Sequence, residues 1–167
     1  MKLLFILILV IGVSIVIEFL KLFEKSKSKN EVIKFPYLKK FNLMTSAEHD
    51  FFKVLAQILD DRFYIIPQVH LSEIILVNKY EKYYKTYLSK IDKKSVDYVV
   101  FNKDSFAPLL VIELDDSSHN LEKRMERDKF VEQLLDHIKL PLLRYRNQSS
   151  YDSNKILNDI KDKLGYK

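Results

Sequence analysis

Two carboxylates stand at the end of an apolar stretch in the second half of the chain. From Ile112 to Asp115 apolar and acidic residues alternate, which predicts a strand with Glu113 and Asp115 on one face. Adjacent carboxylates repel each other and lose hydration, and a bound divalent cation would offset that cost. A strand that simply reaches solvent explains the same pattern. His119, which follows, is either a general acid or base or a hydrogen-bonded turn or capping residue.

A third acid is expected to join this pair through a β-hairpin. The segments Val96–Phe101 and Leu109–Asp115 have strand patterns, and turn-forming residues separate them. The turn places Asp97 opposite Val111 or Glu113, and residues that are opposite one another project to the same face. We therefore predict that three carboxylates lie within reach of one Mg²⁺ or Mn²⁺ ion, since hard oxygen ligands suit these metals.

A fourth acid begins the first helix of the folded part. Thr45 and Glu48 have the spacing of a capping box, and apolar residues follow at helical intervals. Glu48 lies on the same stripe as Phe52 and Leu55, so we expect it to face the core side. Capping alone explains Glu48, and a catalytic role would need support from elsewhere.

Charged residues also lie around the next predicted helix and strand. A helix from Asn120 to Ile138 carries Asp128 on its apolar stripe, where a buried acid needs a partner. Arg144, in the strand that follows, is the expected structural partner. Arg124 and Arg127 lie on other faces of the helix, where they contact substrate phosphate or nothing.

A lysine- and tyrosine-rich segment precedes the hairpin. Between Lys79 and Lys94 there are six lysines, interleaved with tyrosines at helical spacing, and two acids. Lysines can neutralise phosphates while tyrosines stack on bases. An amphipathic helix with a solvent-facing lysine side explains the same composition, and both readings stay open.

The N-terminal segment has a different character. Residues 3–23 are almost entirely apolar, and at about 1.5 Å per residue they extend roughly 30 Å, enough to cross a bilayer core. A signal peptide is the rival reading, but no small-residue cleavage site follows. The lysines that follow predict that the rest of the chain is cytoplasmic. We thus predict a transmembrane anchor at 1–23, a basic juxtamembrane linker at 24–42 and a folded domain at 43–167.

Net charge and cysteine content limit which kinds of partner and metal site the chain can have. The net charge of the chain is +5, of which residues 1–29 contribute +3 through five lysines and two glutamates, leaving +2 for the remainder. The basic character is therefore no argument for nucleic-acid binding. There are no cysteines, which excludes disulfides and thiolate metal sites. The order helix, strand, helix, strand, strand, helix, strand, helix predicts an α/β sandwich around a mixed sheet.

These segments resemble the PD-(D/E)XK, restriction-endonuclease-like nucleases, in the branch of the very-short-patch repair endonucleases. More closely, the sequence resembles the bacterial domain-of-unknown-function family 2726. The resemblance covers about residues 43–147, in the right order. The matching segments are Leu43–Glu48, Pro67–Val69, Val96–Val99, Ile112–His119, Arg127–Asp128 and Leu140–Arg144.

The resemblance implies a three-layer fold and roles for particular residues. Asp97 and Glu113 match the metal-binding acids of the nuclease pattern, and Glu48 matches the acid of the first core helix. Asp115 stands where the pattern has a lysine, which removes the group usually assigned to orienting the attacking water. His119, which matches a histidine found in relatives, would share that task.

The sequence thus predicts a Mg²⁺- or Mn²⁺-dependent nuclease acting on DNA at the cytoplasmic face of the membrane. Its candidate catalytic residues are Glu48, Asp97, Glu113, Asp115 and His119, and its candidate substrate-binding residues are Gln68, Arg124, Arg127 and Arg144. The alternative is an inactive module of the same fold that binds nucleic acid or a protein partner at the membrane.

Overall fold

The computed structural model describes residues 2–27, 35–115 and 121–165. Inside the helices, the side chains of residues 3–5, 7–8, 23–27 and 121–127 are outside the described set. The chain forms two compact units, Met1–Lys40 and Phe41–Lys167. The first unit consists mainly of helix α1 (Lys2–Lys27), and the second contains the sheet and the remaining helices.

Helix α1 covers the segment for which the sequence predicts a membrane anchor. Across the described residues, no helix is both long enough and apolar enough to cross a membrane, so the predicted transmembrane helix is wrong. The predicted single-pass localisation is wrong for the same reason.

The second unit is a mixed α/β structure. Its described residues form a four-stranded sheet in the order β1-β2-β3-β4. β2 is antiparallel to both β1 and β3, and β4 is parallel to β3. The strands are β1 (Phe63–His70), β2 (Ser95–Asn102), β3 (Pro108–Asp115) and β4 (Leu142–Arg146).

Helices pack on both faces of the sheet, because the central strands are apolar on both sides. Tyr98 and Ile112 share one core with residues of α2 and α6, whereas Val99 and Val111 share the other with residues of α3, α4 and α5. The helices are α2 (Ser46–Ile58), α3 (Leu71–Ile74), α4 (Tyr84–Asp92), α5 (Leu121–His137) and α6 (Ser153–Leu164).

Local signals define the ends of two helices as the sequence predicts. Thr45 caps α2, with both hydrogen bonds of the capping box to Glu48 present. Gly165 ends α6 in the left-handed conformation (φ 70°), which glycine adopts without a Cβ clash. The predicted capping box of Thr45 and Glu48 is confirmed.

The segment between Leu71 and Lys94, where the tyrosine spacing predicts a single helix, forms two short helices, α3 and α4, with turns between them. Asn78 forms a turn there: its side chain accepts a hydrogen bond from the Tyr80 N–H, and its carbonyl accepts one from the Glu81 N–H. Asparagine competes with helical hydrogen bonding in this way, which separates the two helices.

Candidate active site

One edge of the sheet brings together most of the predicted site residues. The C-terminal ends of β1, β3 and β4 and the N-terminal end of β2 lie at this edge, because of the strand directions. We call it the site end; the opposite edge, with the β2–β3 turn, is the turn end. Five predicted residues belong to the site end: Gln68, Asp97, Glu113, Asp115 and Arg144.

Asp97 binds across the hairpin to the backbone of β3. The last pair in the β2–β3 register is Tyr98 with Ile112, and continuing that register by one residue places Asp97 opposite Glu113. The Leu114 N–H donates a 2.8 Å hydrogen bond to Asp97 Oδ2. The Asp97 carboxylate therefore accepts a hydrogen bond from a β3 N–H that would otherwise bond to a backbone carbonyl of β2. This bond holds the half-buried Asp97 close to the β3 backbone.

Arg144 lies among three carboxylates. Its guanidinium is 3.6 Å from Glu113 Oε2, 3.9 Å from Asp115 Oδ1 and 3.7 Å from Asp128 Oδ2. The pairing with Glu113 follows from the parallel register, in which Glu113 and Arg144 are direct partners. All three distances exceed ordinary hydrogen-bond length. Within the described part of the chain, the buried Nε and Nη2 atoms of Arg144 have no hydrogen-bond partner.

Glu48 lies at the start of α2 and is linked to β1 and β2. One carboxylate oxygen accepts from the Thr45 N–H at 2.6 Å, and the other accepts from Gln68 Nε2 at 3.1 Å. The buried Tyr98 hydroxyl donates a 2.6 Å hydrogen bond to the Glu48 carbonyl. Burial raises the pKa of Tyr98 well above its ordinary value, and the charges of Asp97 and Glu48 raise it further. The negative charges of Glu48 on α2 and Asp97 on β2 therefore both disfavour ionisation of the Tyr98 hydroxyl.

Gln68 adopts a backbone conformation that favours glycine. Its φ is 55°, and the β1–β2 register passes from Pro67 with Tyr98 to Val69 with Val96 without pairing Gln68. Such a conformation costs a non-glycine residue of the order of 1 kcal/mol. It interrupts β1 at the position across from Asp97, and there the Gln68 side chain reaches Glu48.

The predicted residues that the structure describes thus form two contacting sets, and Asp97 is separately bound to the β3 backbone. Glu113, Asp115 and Asp128 surround Arg144, while Glu48 contacts Gln68. His119 and the side chains of Arg124 and Arg127 lie outside the described residues. Of the residues that are described, no three acids or histidines are close enough together to hold a metal ion.

Two features of this edge were not predicted. The sequence indicated only Asp128 as the partner of Arg144, and the contacts with Glu113 and Asp115 depend on the β3–β4 register. Tyr98 was not singled out, although a tyrosine in an otherwise apolar strand usually needs a polar partner for its hydroxyl. That signal was available in the sequence.

The donors at this edge fit a hard divalent ion by their chemistry. Asp97 and Glu113 carry carboxylates on adjacent strands, opposite each other in the extended register. Mg²⁺ is usually held by one or two carboxylates together with waters and substrate phosphates, so two acids are sufficient. The side chain of Glu113, 13% exposed, already pairs with Arg144, so an ion there would compete with the guanidinium.

By fold and site, the second unit is an α/β domain with carboxylates gathered at one edge of a mixed sheet. A family model described as "Protein of unknown function (DUF2726)" matches residues 40–164, and the chain belongs to this family. Neither a curated protein nor a solved structure matches the chain.

Proposed function

We propose that this protein is a metal-dependent nuclease that hydrolyses phosphodiester bonds in DNA. The observation that carries the proposal is the placement of Asp97 and Glu113 on adjacent strands at the site end. The ordered resemblance to the PD-(D/E)XK nucleases also supports it, because these two acids match the metal-binding positions of that pattern.

In this proposal Asp97 and Glu113 hold one Mg²⁺ or Mn²⁺ ion. When bound, such an ion makes a coordinated water more acidic and offsets the charge that develops on the phosphate. Glu48 keeps its place through the α2 cap and orients Gln68 toward the substrate. Asp115 or His119 takes up the proton of the attacking water.

Arg144 supplies a positive charge at this edge. Asp115 occupies the position of the pattern's lysine, and an Arg144 nitrogen lies 3.9 Å from its carboxylate. A guanidinium offers several donors in a fixed geometry that matches phosphate oxygens. We propose that Arg144 exchanges part of its contact with the acids for the scissile phosphate when substrate binds.

The test is cleavage of supercoiled plasmid and of labelled single-stranded and duplex DNA by the purified full chain. Reactions contain Mg²⁺, Mn²⁺ or EDTA. Wild-type protein should cleave only with metal, and Asp97→Asn and Glu113→Gln should each lower the rate at least about a hundredfold, because each removes a metal ligand.

Matched controls come from exposed acids away from the site end. Asp61→Asn, just before β1, and Asp104→Asn, in the β2–β3 turn, neutralise exposed carboxylates at the turn end and should leave the rate unchanged. Cleavage that is equal in the site variants and in wild type would contradict the proposal. So would the absence of metal-dependent cleavage of every DNA tested.

The second candidate is a module of the same kind that binds nucleic acid or a protein without cleaving anything. The ion pair between Arg144 and Glu113 favours it, because the guanidinium already neutralises one of the two proposed ligands. DNA binding in EDTA that neither Mn²⁺ nor Mg²⁺ converts to cleavage would select this candidate.

A further inference from the structure

The lysine- and tyrosine-rich segment, residues 71–94, is inserted between two strands at the site end. It leaves the sheet after β1 and returns at β2, and the Leu71 N–H donates a 2.8 Å hydrogen bond to the Lys94 carbonyl at its base. Gln68 shortly precedes this segment and Asp97 shortly follows it. We call residues 71–94 the excursion. Its base therefore adjoins the proposed catalytic edge.

One side of the excursion belongs to the protein core. Leu71, Ile75 and Ile91 are buried in the same cluster as Val99 and Val111 of the sheet, and Leu88 packs against that cluster. These contacts attach the segment to the domain. The side chains that bury this segment against the domain are therefore on this side, and the exposed tyrosines on the other side are not needed for packing.

The tyrosines of the other side face solvent. Tyr80, Tyr83 and Tyr87 are 84%, 56% and 44% exposed. The Tyr87 N–H donates to the Tyr83 carbonyl at 3.0 Å, so these two residues are one helical turn apart on the same side of α4. Tyrosines that packed beneath the lysines would be buried, as Tyr98 is. These rings instead present accessible surfaces to a partner.

Lysines accompany each of these rings. The Nζ atoms of Lys79, Lys82 and Lys90 lie 5.2, 5.3 and 5.6 Å from the ring centroids of Tyr80, Tyr83 and Tyr87 respectively. The excursion contains six lysines and three acids, a net charge of +3, although residues 30–167 together carry only +2. Positive charge is thus concentrated next to the exposed rings.

We propose that the excursion binds single-stranded DNA and leads it to the site end. Exposed aromatic rings stack on bases, which are accessible in a single strand and already stacked in a duplex, while the lysines neutralise phosphates. The choice of DNA rests on the function proposed above. The substrate class is accordingly a single strand or a single-stranded portion of a larger DNA.

The test measures fluorescence anisotropy of labelled oligothymidylate with the full chain in EDTA, so that binding is separated from cleavage. The variant Tyr80→Leu/Tyr83→Leu should weaken binding at least about fivefold per ring. The variant Lys79→Gln/Lys82→Gln should reduce the slope of log K against log salt by about 1.4. Tyr80→Phe/Tyr83→Phe keeps the rings and should retain the affinity.

The turn end supplies a matched control. Lys103 Nζ lies 6.0 Å from the ring centroid of Tyr64, which is 43% exposed. This pair has the same chemistry at the opposite edge of the sheet. Tyr64→Leu/Lys103→Gln should leave both the affinity and the salt slope unchanged.

Several results would overturn this proposal: equal affinity of the leucine variant and wild type, equal or tighter binding of duplex, binding of oligouridylate but not oligothymidylate, or binding of anionic vesicles without binding of DNA.

Failure of the nuclease proposal can be distinguished from failure of this one. If the excursion variants lose DNA binding while wild-type protein cleaves no DNA with any metal, the binding proposal is supported and the nuclease proposal is contradicted. If Asp97→Asn abolishes cleavage while the excursion variants bind normally, the reverse holds.

Discussion

Two arginines at opposite edges of the sheet contact carboxylates in contrasting ways. Arg62, just before β1 at the turn end, binds Asp60 through two nitrogens at 2.7–3.1 Å, and its side chain is 58% exposed. Arg144 at the site end is 27% exposed and lies 3.6–3.9 Å from Glu113, Asp115 and Asp128. The exposed pair has the shorter contacts, while the shielded cluster has more charges and longer contacts.

The hydrogen bonding of the two edges also differs. At the turn end local hydrogen bonds are satisfied: Asn102 Oδ1 alone accepts from the Asp104 N–H, the Ser105 N–H and the Ser105 hydroxyl. At the site end two buried nitrogens of Arg144 have no hydrogen-bond partner in the described ranges. Incomplete hydrogen bonding of buried groups is often found at functional sites.

The largest expected effect is that of Arg144→Met. Removing the guanidinium leaves three carboxylates close together in a partly buried place. A fully buried pair broken in this way costs about 3–5 kcal/mol, and the 27% exposure of Arg144 reduces our expectation to about 2 kcal/mol. Urea unfolding at neutral pH measures this loss of the free energy of unfolding.

Arg62→Met is the matched control. Because solvent screens exposed ion pairs, we expect a loss of no more than about 0.5 kcal/mol despite the shorter distances. If Arg62→Met lowers the free energy of unfolding as much as Arg144→Met, or more, then the length of the contacts and not their burial determines how much each arginine stabilises the protein. The proposed contrast between the two edges would then be wrong.

A smaller effect is expected from Tyr98→Phe, which removes the hydroxyl that donates to the Glu48 carbonyl. We expect a loss of about 1 kcal/mol, the usual contribution of one hydrogen bond, because the bond between the Tyr98 hydroxyl and the Glu48 carbonyl is lost. Tyr64→Phe, at the exposed turn end, should change the free energy of unfolding by less than about 0.5 kcal/mol. Chemical denaturation of both variants distinguishes the two edges, and equal losses would contradict the comparison.

The smallest effect concerns acid stability at the turn end. Hydrogen bonds from the Arg62 side chain and backbone lower the pKa of Asp60 from its ordinary value of 3.8 to about 2. A lowered folded-state pKa stabilises the protein above pH 3.8, and this contribution is lost as the pH falls toward 2. The stability difference between wild type and Asp60→Asn should therefore shrink over that range in urea titrations. A difference that stays constant with pH would contradict the assignment.

The hairpin could be predicted from the sequence because its signals are local. Alternating apolar residues, turn-forming residues after Phe101 and Pro108 at the next strand define two antiparallel strands and their approximate register. Asp97 is therefore brought to the β3 backbone as the spacing indicates. The capping residues Thr45 and Gly165 were recognisable for the same reason.

Long-range features could not be predicted in this way. The pairing of Glu113 with Arg144 depends on how the α5 crossover sets the register of a parallel strand, and no local pattern specifies it. The positive φ of Gln68 is imposed by its surroundings, since glutamine has no preference for it. The predicted anchor followed hydropathy alone, and the structure does not provide a membrane-spanning helix among its described residues.

The central claim is that Asp97 and Glu113 together hold one divalent ion. The most direct measurement is a Mn²⁺ titration of the full chain followed by electron paramagnetic resonance, with and without oligothymidylate. We predict one bound Mn²⁺ in wild type, an affinity at least about tenfold weaker in Asp97→Asn and in Glu113→Gln, and no change in the turn-end control Asp104→Asn. Equal Mn²⁺ affinity in all four proteins, or no bound Mn²⁺ in wild type even with DNA present, would contradict the claim.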